Sequence, residues 1–341
     1  MTATRKHAGT AFLLLSTAVG AVHAQQPARQ HRIAIVIPAG PTAFISDTSR
    51  DTLNRRLYQA FFEELRRLGD VEGQNLTVER YSGEGRPKGY ADLAREVANR
   101  NPDVIVAITN PVALAARAAT GTIPIVWIGG DPIQGGLTTS LAHPGGNITG
   151  VTVYAGYEDY EIYGKRLQIL KEAVPSVSKV AFLVMRDTWE REARSFQEAG
   201  RRLEIVVVGI PLEASASSDY QRAFGEIAKE RPDAIMVHDR GELIAYRQLI
   251  VELIEKSRLP AIYGYREYVE AGGLMAYETD FGELFRRMAD DVHEIFGGAK
   301  AGDIPIYQPT KFQLVINLKA AKTLGLAFPP ALLATADEVI E

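Results

Sequence analysis

A strand-and-helix alternation runs along residues 33–128 and begins again after Gly150, and it constrains this chain more than any other feature. Residues 33–37 (IAIVI), 104–108 (VIVAI) and 123–128 are continuous apolar runs, short enough to be strands buried on both faces. Between them, Leu53, Leu57, Phe61, Leu65 and Leu68 recur on one helical face that stops at Gly69. Residues 76–81 alternate like a strand, Leu93 and Val97 mark a second helix, and 112–119 is an Ala-rich third. The rhythm predicts a parallel sheet with helices on both faces.

The second pass has the same grammar. Tyr160, Tyr163, Leu167, Leu170 and Val174 form a helical stripe before an apolar strand at 179–185. A helix through Phe196, a strand at 205–208, a helix through Tyr220, Phe224 and Ile227, a strand at 234–237, a helix over 244–254 and a strand at 261–263 come next. Asn101-Pro102-Asp103 leads one strand and Arg231-Pro232-Asp233 another, and each half then has a helix and a Pro-led strand, at Pro124 and Pro260. Proline at a strand's first residue costs no ladder hydrogen bond. At 341 residues, two α/β sheets in tandem fit better than one wide sheet. The last stretch reads as a strand at 273–277, a helix opened by Asp280 and Glu283 in a capping-box spacing, a strand at 312–316, and a final helix from Asn317 to Gly325.

The N-terminus reads as an address. Arg5 and Lys6 precede an apolar run over 11–22, then Val22-His23-Ala24 before Gln25, which is the pattern of a secretory signal peptide cleaved after Ala24. The run is too short to span a bilayer of roughly 30 Å. The expected mature protein is free in the periplasm. With no cysteine, a disulfide framework, a thiol nucleophile, Cys-ligated zinc and a lipidated N-terminal cysteine are all excluded. A net charge of −4 favours neither nucleic acid nor anionic membranes.

Ligands of open α/β sheets bind beyond the carboxyl ends of the strands. In the first half those ends carry residues 38–44, Thr109-Asn110 and Gly129-Gly130-Asp131-Pro132; in the second, Arg186-Asp187, His238-Asp239-Arg240 and Tyr263-Gly264-Tyr265-Arg266. Each has a plainer reading. Asp131 before Pro132 suits an Asx-turn, Asp187 and Asp239 suit helix caps, and one of the alternating Tyr263 and Tyr265 points to core. Arg186 and Arg266 suit a ligand carboxylate or a solvated surface. No Gly-x-Ser-x-Gly elbow and no His-Glu-x-x-His occurs, and Gly83-x-Gly85 lacks the Lys-Ser/Thr pair of a phosphate loop.

Motifs along nearly the whole chain carry a resemblance. Leu68-Gly69-Asp70-Val71-Glu72-Gly73-Gln74-Asn75, Gly130-Asp131-Pro132, Pro144-Gly145-Gly146-Asn147-Ile148-Thr149-Gly150, Gly272-Gly273-Leu274-Met275, Gln308-Pro309-Thr310-Lys311-Phe312, Asn317-Leu318-Lys319-Ala320-Ala321-Lys322 and Ala336-Asp337-Glu338-Val339-Ile340 occur in that order. Together they resemble the tryptophan-transporter-like family of ABC-transporter substrate-binding proteins. The resemblance implies a type I periplasmic binding protein fold: two doubly wound parallel-sheet α/β lobes joined by three crossover strands. Lobe 1 is then 32–151 plus 280–305, and lobe 2 is 152–279 plus 306–341, after a signal peptide at 1–24. It further implies a non-catalytic receptor for an amino acid or small aromatic or carboxylate compound, serving an inner-membrane ABC permease and its ATPase. No cofactor, metal or nucleic acid is expected, and a monomer is.

The expected ligand-binding residues are Thr109, Asn110, Gly130 and Asp131 from lobe 1, Arg186, Asp187, Asp239, Tyr263 and Tyr265 from lobe 2, and Tyr154, Tyr277 and Asp280 at the crossings. The chain departs from many relatives in having Ala276-Tyr277-Glu278 where they have Ser-Tyr-Gly, so Glu278 is expected beside the cleft, disfavouring an anion or recruiting an amine. A periplasmic isomerase or hydrolase on a similar scaffold is the alternative. A repressor's effector half would need a DNA-binding helix pair before the first strand.

Overall fold

The computed structural model describes residues 30–84, 89–153, 160–214 and 216–341, together with Thr2. The rest of the signal-peptide segment and Tyr154 lie outside the described residues. Strands β1 (His31–Ile37), β2 (Leu76–Ser82), β3 (Val104–Ile108), β4 (Ile125–Gly129) and β5 (Ile148–Thr152) form an all-parallel sheet in the order β2-β1-β3-β4-β5. Helices α1 (Thr52–Leu68), α2 (Tyr90–Asn99) and α3 (Asn110–Ala119) connect them.

The apolar runs work as strands because alternate side chains feed two cores. Ile33, Ile35, Val104, Val106, Val126 and Ile128 pack on one face, and Ala34, Val36, Ile105, Ala107, Ile125 and Trp127 on the other with α2 and α3. Asp51 caps α1 by accepting from Asn54 N–H at 2.9 Å, and Gly69 ends it at φ 97°. The strand β5, not anticipated from the sequence, sits so close to β4 that a Cβ on Gly150, at φ 135°, would strike the Trp127 backbone.

The second sheet comprises β6 (Lys179–Met185), β7 (Val206–Leu212), β8 (Ala234–Val237), β9 (Ala261–Tyr263), β10 (Met275–Thr279), β11 (Phe312–Asn317) and β12 (Glu338–Ile340), in the order β12-β11-β10-β9-β8-β6-β7. Pairing is parallel except between β10 and β11, because β11 enters from a returning crossing. Its helices are α4 (Tyr160–Ala173), α5 (Arg186–Arg202), α6 (Ser217–Glu230), α7 (Gly241–Ile244), α8 (Arg247–Ser257) and α9 (Arg266–Glu270). After β10 come α10 (Phe281–Phe296), α11 (Leu318–Thr323) and α12 (Pro330–Ala334). The helix expected over 244–254 is broken at Ala245-Tyr246, which sets the Tyr246 ring 5.1 Å from that of Tyr220. Although it comes after β10, α10 returns to the first sheet: Leu284, Phe285, Met288 and Val292 fill the α1 core.

The chain thus passes between the sheets three times, and the passages lie side by side. Tyr307 N–H donates to Gly150 O and Thr152 N–H to Tyr307 O, each at 2.9 Å. Thr279 Oγ1 donates to Val153 O at 3.0 Å, and Asp280 N–H to Lys311 O at 3.1 Å. No helix among the described residues is long and apolar enough to cross a membrane.

Candidate ligand-binding cleft

The carboxyl edges of the two sheets face one another. The segment leaving β1 enters α1, and three residues at the start of α1 touch the segments that leave β8 and β9: Asp51 lies 3.3 Å from Arg247, Leu53 packs on the lobe 2 core, and Arg56 reaches Glu267. The Phe281 ring, at the return into lobe 1, stacks on Tyr265 at 5.4 Å.

On the lobe 1 edge, Thr109, Asn110, Gly130 and Asp131 form one contiguous group. Thr109 precedes α3 with φ 84° and ψ 152°, a conformation that glycine tolerates and a β-branched residue avoids, and its hydroxyl makes no capping bond. With Pro111 lacking an N–H, the first-turn N–H groups of Asn110 and Val112 have no intrahelical partner. The Asn110 side chain is spent on bracing: Oδ1 accepts from Trp127 Nε1 at 3.1 Å and Nδ2 donates to Asp131 O at 3.2 Å. A Cβ on Gly129 or Gly135 would collide with that amide, so both glycines make room for the brace. Asp131 makes the Asx-turn, Oδ1 accepting from Ile133 N–H at 2.7 Å and Gln134 N–H at 3.1 Å. Its Oδ2 is buried and has no hydrogen-bond partner among the described residues.

The lobe 2 edge is occupied by its own charges. Asp239 does not cap a helix. Its Oδ2 accepts from Arg166 Nη2 at 3.0 Å and its Oδ1 from Tyr163 OH at 2.5 Å. Burial, the largest single influence, would raise the Asp239 carboxyl, but Arg166, His238 and the Tyr163 hydroxyl together hold it below the usual range. Arg166, only 1% exposed, also donates from Nε to Tyr277 O at 2.9 Å and lies over the Tyr163 ring. Because the Tyr163 proton goes to Asp239, His238 donates its Nε2–H to Tyr163 OH at 3.0 Å. Burial pushes the His238 ring down to about 4, so it is neutral at pH 7. The sequence reading missed Arg166 as a site residue; its signal is an arginine at i+3 inside the apolar stripe Tyr163, Leu167, Leu170.

The remaining candidates separate. Tyr265 reaches this cluster, its OH donating to Asp239 O at 2.8 Å, whereas Tyr263 is fully buried and stacked on Tyr268 at 4.6 Å in the core. Tyr277 is half-buried and stacks on Phe312 at 5.7 Å. Asp280 caps α10, accepting from Glu283 N–H at 3.0 Å. Arg186 is paired with Glu213, Arg266 with Glu338 and Glu270, and Asp187 with Arg240, which overcomes partial burial to keep the Asp187 carboxyl low. Glu278 is fully buried, bonded to Arg56 and to the Arg266 N–H, and is therefore not the free acid beside the cleft expected from the sequence. The small gap between α2, α3 and the first sheet, lined by Val36, Leu93, Val97 and Ile105, is apolar core packing. Among the described residues no group of three His, Cys, Asp or Glu is placed to hold a metal.

Comparison with known proteins agrees with this architecture. The chain is 25% identical over 275 residues to a tyrosine-binding protein of Clostridioides difficile strain R20291, covering 79% of this chain and 76% of the relative. It is similar to the crystal structure of a conserved domain protein from Vibrio cholerae, with a TM-score of 0.77 and 25% identity, covering 91% of this chain and 100% of that one. It also superimposes on the ABC domain from Streptococcus pneumoniae solved with L-Trp, with a TM-score of 0.76 and 21% identity, again covering 91% and 100%. The profile of the family described as "ABC transporter substrate binding protein" matches residues 41–340, and the chain belongs to that family.

Proposed function

We propose that this protein is the periplasmic receptor of an ABC importer, exported by a signal peptide cleaved after Ala24, which closes its two lobes around an amino acid or a small aromatic or carboxylate compound and delivers it to a permease and its ATPase. Residues 32–151 with 280–305 make one jaw and residues 152–279 with 306–341 the other. It acts as a monomer and returns its ligand unaltered. The observation that carries the reading is the lobe 1 edge: the unpaired, buried Asp131 Oδ2 lies in the same braced group as the open N-terminus of α3. An α-amino acid brings an ammonium for the first and a carboxylate for the second. Tyr265 and Tyr277 on lobe 2, with Tyr154, supply stacking surface. The tyrosine-binding relative supports this ligand class.

Thermal melts in the presence of single L-amino acids and aromatic acids test it. A ligand at a hundred times its dissociation constant adds about 2.7 kcal/mol of stability. The expected result is a shift with an aromatic L-amino acid, weakened at least tenfold in affinity by Asp131→Asn, and recovery of the compound intact after incubation. No shift across the set, or a chemically altered ligand, overturns the reading.

A further inference from the structure

Arg56 lies on α1, yet its guanidinium is committed to the other lobe. Nη2 and Nε lie 2.8 Å and 3.2 Å from Glu267 Oε1, and Nη1 lies 3.4 Å from Glu278 Oε1. Both carboxylates are buried, at 2% and 0% exposure, and both belong to lobe 2. The Arg266 N–H takes up the other Glu278 oxygen at 3.0 Å, while the Arg266 side chain is bound to Glu270 and Glu338. Burial raises the Glu278 carboxyl more than Arg56 lowers it, and the adjacent Glu267 adds to the rise, to about 7. Among the described residues, two close carboxylates in one lobe thus share one cation from the other. Parting the lobes would strand them without that cation and cost the Asp51–Arg247 pair and the Tyr265–Phe281 stack as well.

We infer that Arg56 with Glu267 and Glu278 is an inter-lobe latch: it sets how far the ligand-free protein is closed, and so tunes ligand affinity without touching the ligand. The inference rests on the two-lobed receptor reading above. A bound molecule has no part in these bonds, so the latch contributes the same closing free energy whatever the ligand, and affinity tracks the fraction of molecules already closed.

The cysteine-free sequence makes the test direct. Spin labels on Ala91→Cys, in α2, and Gln221→Cys, in α6, both exposed, report the distance between lobes in the ligand-free protein. The latch predicts one short separation in the otherwise unaltered chain, a longer one in Arg56→Gln and in Glu267→Gln, and no further lengthening in the double variant. Exposed Arg55→Gln serves as the control and leaves the distance unchanged. For whichever amino acid stabilises the parent protein, Kd rises about tenfold in Arg56→Gln with the ranking of ligands preserved. If both single variants fold and keep the parent distance, or if their effects simply add, the latch is wrong. Should Arg56→Gln not fold, Glu267→Gln decides alone. A parent protein that binds nothing defeats the receptor reading while the ligand-free distances still judge the latch.

Discussion

Replacing Asp291 by asparagine should change how the stability of this protein depends on pH. Asp291 lies on α10, fully buried, and neither carboxylate oxygen has a hydrogen-bond partner among the described residues. Arg287 Nε stands 3.3 Å from Oδ1, but burial dominates, with Glu294 and Asp290 adding to it, and the carboxyl is pushed up from 3.8 to about 7. The native state therefore holds this proton over a window in which the unfolded chain has released it. Stability from such a group is complete below 3.8 and is lost as pH rises through about 7. The whole gap corresponds to roughly 4 kcal/mol, or on the order of 10 °C in Tm.

Urea unfolding of the parent and of Asp291→Asn at intervals from about pH 5 to pH 8 reads this out, because asparagine keeps the shape and never ionises. Other groups move in the same window. Glu278, also raised to about 7, acts in the same direction. His238, lowered from 6.5 to about 4, acts oppositely, its contribution growing as pH rises toward 6.5. The difference between parent and variant cancels both. The expected curve has the variant gaining steadily on the parent from acid to alkaline pH and exceeding it by pH 8. Parallel curves would refute the reasoning, for they would mean that Asp291 is hydrated or paired and titrates as in the unfolded chain.

The cleft gives two further expected outcomes. Asp239→Asn removes the buried carboxylate that pairs with Arg166 and accepts from Tyr163, so a loss of about 3–5 kcal/mol in chemical denaturation is expected; a parent-like midpoint would place that pair in water. Thr109→Gly relieves a backbone strain of about 1–3 kcal/mol against glycine's own entropic cost of up to about 1 kcal/mol. A higher melting temperature is expected, together with weaker binding as the hydroxyl is lost from the cleft, and a lower one would mean that the positive φ is not strained in solution.

The strands were legible because parallel sheets covered on both faces demand runs such as 33–37 and 104–108, in which neither parity is polar. The short pieces were not. The helix α9 and the strand β12 have five and three residues, too few to show a period, and the threonines and glycine of β5 break up any apolar run. At the cleft, strand-end position was legible and partnership was not. Arg56 and Glu267 are 211 residues apart, and Arg166 and Asp239 are 73 apart. Nothing local tells a committed charge from a free one. Glu278 is the sharpest instance, since its position beside the crossing was readable while the guanidinium that consumes it comes from the other lobe.

That distinction bears on the proposed ligand. Along the lobe 2 edge every predicted ionic candidate already has a mate: Arg186 has Glu213, Asp187 has Arg240, and Asp239 has Arg166. Recruiting any of them would require a ligand to break an existing pair, which costs more than an exposed or unpaired site. The lobe 1 edge differs, since its polar capacity resides in backbone N–H groups, a threonine hydroxyl and one unpaired carboxylate oxygen. On the proposed reading a charged ligand is therefore received first by lobe 1. Lobe 2 then closes over it with tyrosine rings and a surface whose charges are internally neutralised, so selectivity for the ligand's charged end lies in one jaw and tolerance for its side chain in the other.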